Sequence, residues 1–204
     1  MSDTFSSIKT AVANITNRPD KADLEAQKIN AAVRLISLSG EFWRDLQEVT
    51  LGSADGIVAT TYTQSITLPA RFRKTAYVAY PDTANDPHIE GLGIEEIATK
   101  VGAGKTDIFY MSGTLLHIRN SELSSTFLFG YYEYPAALVA DTDTNWILEL
   151  MPELVTDLAA TLSLNAIGNR ENANMVQAIA SGELALLVAD VINSHEQNVS
   201  SGRA

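Results

Sequence analysis

The sequence predicts a mainly α protein in which a helical bundle carries a β-rich insertion and ends in a long carboxy-terminal helix. Apolar residues recur every three or four positions near the amino terminus, alternate with polar residues after Gly52, and return to helical spacing from Asp143. This order indicates one insertion in an α+β chain and not alternating βαβ units. We therefore divide the chain into bundle helices (1–50), a β-rich insertion (51–142) and carboxy-terminal helices with a tail (143–204).

Helices account for the amino-terminal part. The first is predicted from four apolar positions at helical spacing, Phe5, Ile8, Val12 and Ile15. Asp20 is a candidate cap for a second helix, and Gly40 stands where a left-handed carboxy-terminal cap is expected. Residues 41–46 continue the helical spacing and predict a third, shorter helix.

The middle of the chain alternates apolar and polar residues, as half-buried strands do. Strands are predicted at residues 58–68, 77–80, 108–111, 115–118 and 127–132. The third and fourth flank Ser112-Gly113-Thr114, which predicts a hairpin. Residues 82–104 are polar and are expected to hold at most one helical turn.

Helical spacing returns in the last third of the chain. Asp143 is a candidate cap for one helix, and Pro152 suits the first residue of the next. Gly168 is expected to end that helix. A last helix then starts near Asn169, with a bend expected at Ser181-Gly182.

Composition and charge exclude several classes of protein. The 204 residues include no cysteine, which excludes disulfides, thiolate zinc sites and cysteine nucleophiles. The 25 acidic residues outnumber 14 basic ones and give a formal net charge of -11, which opposes binding of nucleic-acid phosphates. The longest apolar run, residues 184–189, is too short to span a bilayer, so no membrane partner is expected.

One glycine-rich string resembles part of a nucleotide site. Gly102-Ala103-Gly104-Lys105-Thr106 contains the Gly-Lys-Thr that ends a phosphate-binding loop. That loop needs a further glycine where this chain has Thr99, a strand before it and a helix after it. Here a helical turn comes first and a strand follows, so a glycine-rich turn is the better interpretation.

No other motif predicts chemistry. His88, His117 and His195 stand apart, without a carboxylate at ligand spacing. Asp141-Thr142-Asp143 resembles the start of a calcium loop, but Trp146 replaces the glycine that the loop needs. The sequence therefore predicts no catalytic residue, no cofactor and no metal site, and the protein is not expected to be an enzyme.

Two clusters and the last helix are candidates for contacts with partners. Five aromatic residues within residues 127–134 favour a sheet core or a subunit interface over nucleic-acid stacking, because Arg119 is the only basic neighbour. The one basic cluster, Arg71, Arg73 and Lys74, can pair with acids of a neighbouring subunit or form a solvated turn. The last helix is apolar nearly all round, which indicates partners on more than one side. Its candidate contact residues are Leu184, Leu187, Val188, Val191 and Ile192.

Several strings and their order resemble the head-to-tail adaptor, or connector, proteins of tailed bacteriophages. They are residues 28–36 (KINAAVRLI) with Phe42-Trp43, residues 64–69 (QSITLP) with 71–74 (RFRK), Gly130-Tyr131-Tyr132 with Pro135, and residues 151–154 (MPEL). The chain is most similar to the gatekeeper, or tail tubular A-like, proteins of short-tailed phages. The resemblance covers roughly residues 4–195.

The resemblance implies a twelve-membered ring that binds beneath the portal, extends the DNA channel and presents a platform to the tail nozzle or the next neck protein. It places the protein in the neck of the virion, after assembly in the host cytoplasm, with genomic DNA passing through without specific binding. The last helix would then contact the portal, and the basic cluster would contact a neighbouring subunit. Other neck or tail rings, such as a tail terminator or head-completion protein, remain alternatives, as does a small soluble enzyme.

Overall fold

The computed structural model describes residues 3–51, 58–60, 63–81, 89–120 and 126–201, with the side chains of all of these except 58–60 and 190–201. The helices of this part are α1 (Phe5–Thr16), α2 (Ala22–Ser39), α3 (Ile94–Gly102), α4 (Trp146–Leu150), α5 (Pro152–Ala166) and α6 (Arg170–Ser201). Its strands are β1 (Leu46–Leu51), β2 (Val58–Thr60), β3 (Thr63–Thr67), β4 (Phe72–Ala79), β5 (Glu90–Gly91), β6 (Ile108–Ser112), β7 (Leu115–Arg119) and β8 (Phe127–Glu133).

The fold is mixed α+β, and the prediction of a mainly α protein was wrong. Helices make up 52% and strands 23%, and the strands form two sheets. The strand content was underestimated because several strands are short. A five-residue strand shows too few alternations of apolar and polar residues to be recognised. Contacts divide the chain into two compact units, a helical unit (Met1–Asp45 with Tyr134–Ala204) and a β unit (Leu46–Glu133).

Helix α5 lies at the centre of the helical unit. It packs against α1, α2, α4 and α6, and Pro152 occupies its first turn as predicted. Proline suits that position because its missing N–H would have no helical partner there. The buried core includes Phe5, Val12, Ile29, Ile36, Leu148 and Val155.

The caps of the helices follow local hydrogen bonding. The Thr4 hydroxyl accepts a bond from the Ser7 amide, and the Ser7 hydroxyl accepts one from the Thr4 amide, so both orphan donors at the start of α1 are satisfied. Asp20 does not cap α2, because its carboxylate pairs with Arg18 at 2.7 Å within a 3-10 turn. Gly40 has an extended backbone and not the expected left-handed one.

The predicted cap at Asp143 was also wrong. One Asp143 oxygen accepts hydrogen bonds from the amides of Val139 and Ala140, and α4 is capped by Asn145 instead. Gly168 does follow α5 with a φ of +81°, as the sequence predicted. Helix α6 is continuous through Ser181-Gly182, where a bend was expected.

The predicted third helix at residues 41–46 is absent. A 3-10 turn (Trp43–Asp45) leads directly into β1, which pairs with β8 along its whole length. Residues 46–51 alternate in burial, and only Leu51 at the end is fully buried. The predicted helix is therefore reduced to one 3-10 turn, because the chain pairs with β8 from Leu46 onward.

The β unit contains two sheets. One is antiparallel in the order β1-β8-β4, and the other has the order β2-β3-β7-β6-β5 with a parallel β5-β6 pair. The predicted hairpin is confirmed by β6 and β7, whose turn has Gly113 at a φ of +60°. The single strand predicted over residues 58–68 is instead the antiparallel pair β2 and β3. Helix α3 also has nine residues, more than the expected single turn.

A close approach between β4 and β8 fixes one glycine. Tyr77 pairs with Gly130, and a Cβ added at Gly130 would lie 2.3 Å from the Tyr77 ring. Phe127 and Phe129 on the same strand are buried in the core of the β unit. Across all described helices, none combines the length and the apolar character that a membrane crossing would need.

Candidate partner-binding surfaces

The carboxy-terminal helix α6 supplies the candidate partner contacts of the sequence. Leu184 and Leu187 are partly buried and pack against the helical core, and Val188 is half-buried. The side chains of Val191 and Ile192 lie outside the described residues. Within the described part, two of the predicted contact residues therefore already have partners in their own bundle.

A row of exposed apolar side chains on α6 was not predicted from the sequence. Met175 is 61% exposed, Ile179 59% and Leu186 73%. Their spacing places them on one side of the helix, so the signal was present in the sequence. It was hidden because α6 is apolar nearly all round, and spacing alone does not separate the buried stripe from the exposed one. Leu186 also borders a shallow cavity of about 520 Å³ with Leu150 and Leu187.

A second exposed feature is the turn that precedes β1. Trp43 is 74% exposed, and the guanidinium of Arg44 lies over its ring at 4.7 Å from the centroid. Phe42 and Asp45 on either side are buried. We call the exposed pair the Trp43–Arg44 knob.

Two buried neighbours hold this knob in place. The Phe42 ring packs against Trp146 of α4 at 5.1 Å between centroids. One Asp45 carboxylate oxygen accepts a hydrogen bond from Trp146 Nε1 at 2.8 Å, and the other accepts one from the Ser37 hydroxyl at 2.9 Å. The turn is thus tied to both α2 and α4, and the knob is presented on a rigid base.

A groove of about 550 Å³ runs along α5 between α1 and α6. Its apolar residues are Ile8, Ala11, Ile15, Pro152 and Ile179, and its acidic residues are Asp3, Glu153, Asp157 and Glu183. Lysine and arginine are absent from the described residues that line it. We call this surface the α5 groove.

The carboxylates of the α5 groove repel one another. Burial raises the pKa of the Asp157 carboxyl, and the nearby charge of Glu153 raises it further. Burial likewise raises the pKa of Glu183, with added repulsion from Asp157 and Glu153. A raised pKa means that the ionised carboxylate is disfavoured. A cation bound in the groove would stabilise the ionised form.

The basic cluster predicted as an inter-subunit contact lies at the start of β4. Arg71 pairs with Glu133 of β8 at 2.8 Å. The Arg73 guanidinium lies 5.3 Å from the centre of the Tyr132 ring, and Lys74 stands opposite Tyr132 in the sheet register. Arg71 and Arg73 therefore have partners within their own β unit.

The phosphate-loop interpretation has no structural counterpart. Gly104, at a φ of +79°, belongs to the turn between α3 and β6, and Lys105 forms an ion pair with Glu90.

His117 shares a hydrogen bond of 2.8 Å with the Ser65 hydroxyl and stacks on Tyr110. His88 and the side chain of His195 lie outside the described residues. In the part of the chain that the structure describes, no group of three or more acidic or histidine side chains is arranged to hold a metal ion.

The described surfaces thus define a protein whose conspicuous features are apolar and acidic contact faces on a helical unit. Exposed faces of this kind are typical of structural proteins that work through assembly. A family model described as SU10 adaptor protein matches residues 3–202, so the chain belongs to this family of phage head-to-tail adaptors. The family is one of structural phage proteins. No curated protein matches the chain.

Proposed function

We propose that the protein forms a twelve-membered ring beneath the portal of a tailed phage, where it extends the DNA channel and joins the portal to the tail. The family match over residues 3–202 carries this proposal. Exposed apolar side chains on α6 add support, because monomeric proteins rarely leave a row of large apolar residues without a partner. The ring would occupy the neck of the virion after assembly in the host cytoplasm.

The acidity of the chain suits a DNA channel. Each copy carries a formal charge of -11, and a ring of twelve copies multiplies that charge twelvefold. Acidic side chains facing the channel would repel the DNA backbone and keep it from adhering during packaging and ejection. DNA would then pass the ring without specific binding.

We place the portal contact on the second half of α6. The contact set comprises Leu184, Leu187, Val188, Val191 and Ile192, and we add the exposed Leu186. The opposite side of the ring would face the tail nozzle or the next neck protein. Arg71, Arg73 and Lys74 remain a proposed contact with a neighbouring subunit, in which their present pairs would be shared or exchanged.

The experiment is a mass measurement by light scattering, first on the protein alone and then on a mixture with portal rings. We expect a mass near 22.0 kDa alone and about twelve added copies per portal ring. No association with the portal would contradict the proposal and favour a more distal ring of the neck or tail. A small oligomer that ignores every virion part would reopen the alternative of a soluble enzyme.

The portal contact has its own variant. Leu186→Asp places a charge on an exposed position and is expected to abolish docking while leaving the fold intact. Leu187→Asp is less suitable, because Leu187 packs on the core and its loss would also destabilise the monomer. Leu35→Asp, at an exposed position of α2, is the matched control. Normal docking of Leu186→Asp would contradict the assignment of α6.

A further inference from the structure

The Trp43–Arg44 knob has the composition of a binding hot spot. Tryptophan and arginine are the residues most enriched where truncation weakens protein interfaces. Here an exposed indole carries a guanidinium over its face, and the buried Phe42 and Asp45 fix the turn beneath it. Within the described residues, no carboxylate lies within ion-pair distance of Arg44. The apolar ring of Trp43 and the positively charged guanidinium of Arg44 therefore project together from the surface.

The α5 groove has the opposite composition. Its floor and walls offer Ile15 and Ile179, both exposed, next to the carboxylates of Glu153, Asp157 and Glu183. A volume of about 550 Å³ lies within the range that encloses a group of this size. The described residues that line the groove include no lysine or arginine to pair with these carboxylates.

We propose that the Trp43–Arg44 knob of one copy of this chain inserts into the α5 groove of the next copy. The indole packs between Ile15 and Ile179, and the guanidinium reaches Asp157 and Glu183. This inference rests on the proposed ring, and it names the contact that would close it.

The arrangement is a head-to-tail contact, because knob and groove are different surfaces of the same helical unit. The residues that line the groove do not include those of the knob. Each copy therefore offers one knob and one groove, and repetition of such a heterologous contact generates a ring when the rotation closes. A two-fold symmetric dimer would leave neither surface for a third copy.

A cysteine cross-link tests this geometry, and the natural chain helps because it has no cysteine. The full-length variants Glu41→Cys, two residues before Trp43, and Ala11→Cys, in the groove lining, keep Trp43, Arg44 and the groove carboxylates. They are prepared separately and mixed with a bismaleimide reagent that bridges two nearby thiols, alone at high concentration and on portal rings. We expect a cross-linked heterodimer at twice 22.0 kDa in the mixture and no dimer from either variant alone. A chain carrying both substitutions should give a ladder of covalent oligomers.

The matched control replaces Ala11→Cys by Glu171→Cys, which lies exposed on α6 and away from the groove lining. Its cross-linking yield with Glu41→Cys is expected to be much lower, because the reagent joins only thiols that it can reach at the same time. Homodimers of Glu41→Cys alone, or equal yields for both pairs, would overturn the head-to-tail contact.

Charge exchange tests the same contact without a cross-link. Arg44→Glu is expected to weaken the self-association that appears at high concentration by about 30-fold or more in sedimentation velocity, as loss of a hot-spot residue does. Adding Asp157→Arg to that chain should restore most of the loss, while Val139→Ala, at another exposed apolar position, changes nothing. Failure of the second substitution to restore association would overturn the pairing.

The two proposals fail in different ways. Portal binding without the heterodimer overturns the knob-and-groove contact and leaves the adaptor function in place. A heterodimer without portal binding supports the contact and contradicts the position beneath the portal. No heterodimer under either condition overturns the contact.

Discussion

The buried carboxylate of Asp45 allows a quantitative prediction about the helical unit. Asp45 is 3% exposed, and its two oxygens accept hydrogen bonds from Trp146 Nε1 and from the Ser37 hydroxyl. These donors belong to α4 and α2, so one side chain joins two helices and holds the turn that carries Trp43. We predict that Asp45→Ala strongly lowers the free energy of unfolding of this unit.

The size of the loss follows from the two donors left behind. A buried donor without a partner costs about 1–3 kcal/mol, so loss of the acceptor for both donors costs about 2–6 kcal/mol. Asp45→Asn should cost only about 1 kcal/mol, because the amide oxygen can still accept from Trp146 and the amide nitrogen can donate to the Ser37 oxygen. The melting temperature should fall by about 2–4 °C for each kcal/mol lost.

Intrinsic fluorescence in a urea titration is the assay. Both tryptophans of the chain, Trp43 and Trp146, lie in the helical unit, so their emission reports its unfolding. Trp146→Phe removes one donor but keeps an aromatic ring beside Phe42, and its combination with Asp45→Ala should be less than additive. A loss below about 1 kcal/mol for Asp45→Ala, or equal losses for Asp45→Ala and Asp45→Asn, would refute the reasoning.

Three further predictions concern other parts of the chain. Gly130→Ala should lower the urea midpoint of the β unit, because the new Cβ would lie 2.3 Å from the Tyr77 ring, and an unchanged midpoint by circular dichroism would contradict this. Asp157→Asn should raise the melting temperature of the monomer at neutral pH, since the raised pKa of Asp157 makes its ionised form unfavourable. That gain should disappear below the ordinary pKa of an aspartate, where both chains are uncharged at this position. The pKa of Glu90, lowered to about 2 by hydrogen bonds from Lys100 and then Lys105, should rise towards its usual value in Lys100→Ala when followed by NMR, and a constant value would exclude the pairing.

The Asp157 prediction has a matched control and a counterpart in assembly. Glu171→Gln removes a charge from an exposed site in the first turn of α6, where the helix dipole favours a carboxylate, so it should slightly lower the melting temperature at neutral pH and not raise it. If the α5 groove receives Arg44, the same Asp157→Asn that stabilises the monomer should weaken self-association. A carboxylate that destabilises the free chain and stabilises the assembly is the pattern expected of a binding surface.

Long amphipathic segments of this chain could be predicted from sequence. The apolar positions Phe5, Ile8 and Val12 of α1 are all buried, and Pro152 begins α5 as its residue type suggests. Each of these helices has several turns, so its period is repeated often enough to be recognised. The hairpin around Gly113 was equally readable, because the turn residues and the flanking apolar runs agree.

Local caps and short strands were less predictable, because several hydrogen-bonding and pairing partners compete for the same residues. Asp20 and Asp143 have the right side chain for a cap, but Arg18 takes the first and the amides of Val139 and Ala140 take the second. Residues 41–46 satisfied a helical spacing, but only a 3-10 turn (Trp43–Asp45) forms there, because from Leu46 onward β8 supplies a pairing partner that no local pattern reveals.

The candidate surfaces show the same limit. The sequence identified α6 as a contact helix but selected Leu184 and Leu187, which pack on the core, and missed the exposed Leu186. It placed Trp43 in a predicted third helix without indicating that the ring is exposed. The α5 groove was not predictable, because Ile15, Asp157 and Glu183 come from three helices that only the fold brings together.

The central position of α5 also constrains how the chain is made. Helices α1 and α2 are synthesised before the β unit, and α5, on which both pack, follows that unit. At about 5–20 residues per second, the chain between them takes several seconds to synthesise. The apolar faces of α1 and α2 therefore lack their packing partner until α5 is synthesised. The β unit is contiguous in sequence, so it can fold before that point. We expect nascent chains that stop before Pro152 to be the species most exposed to proteases and chaperones, with the helical unit closing only once α5 has been added.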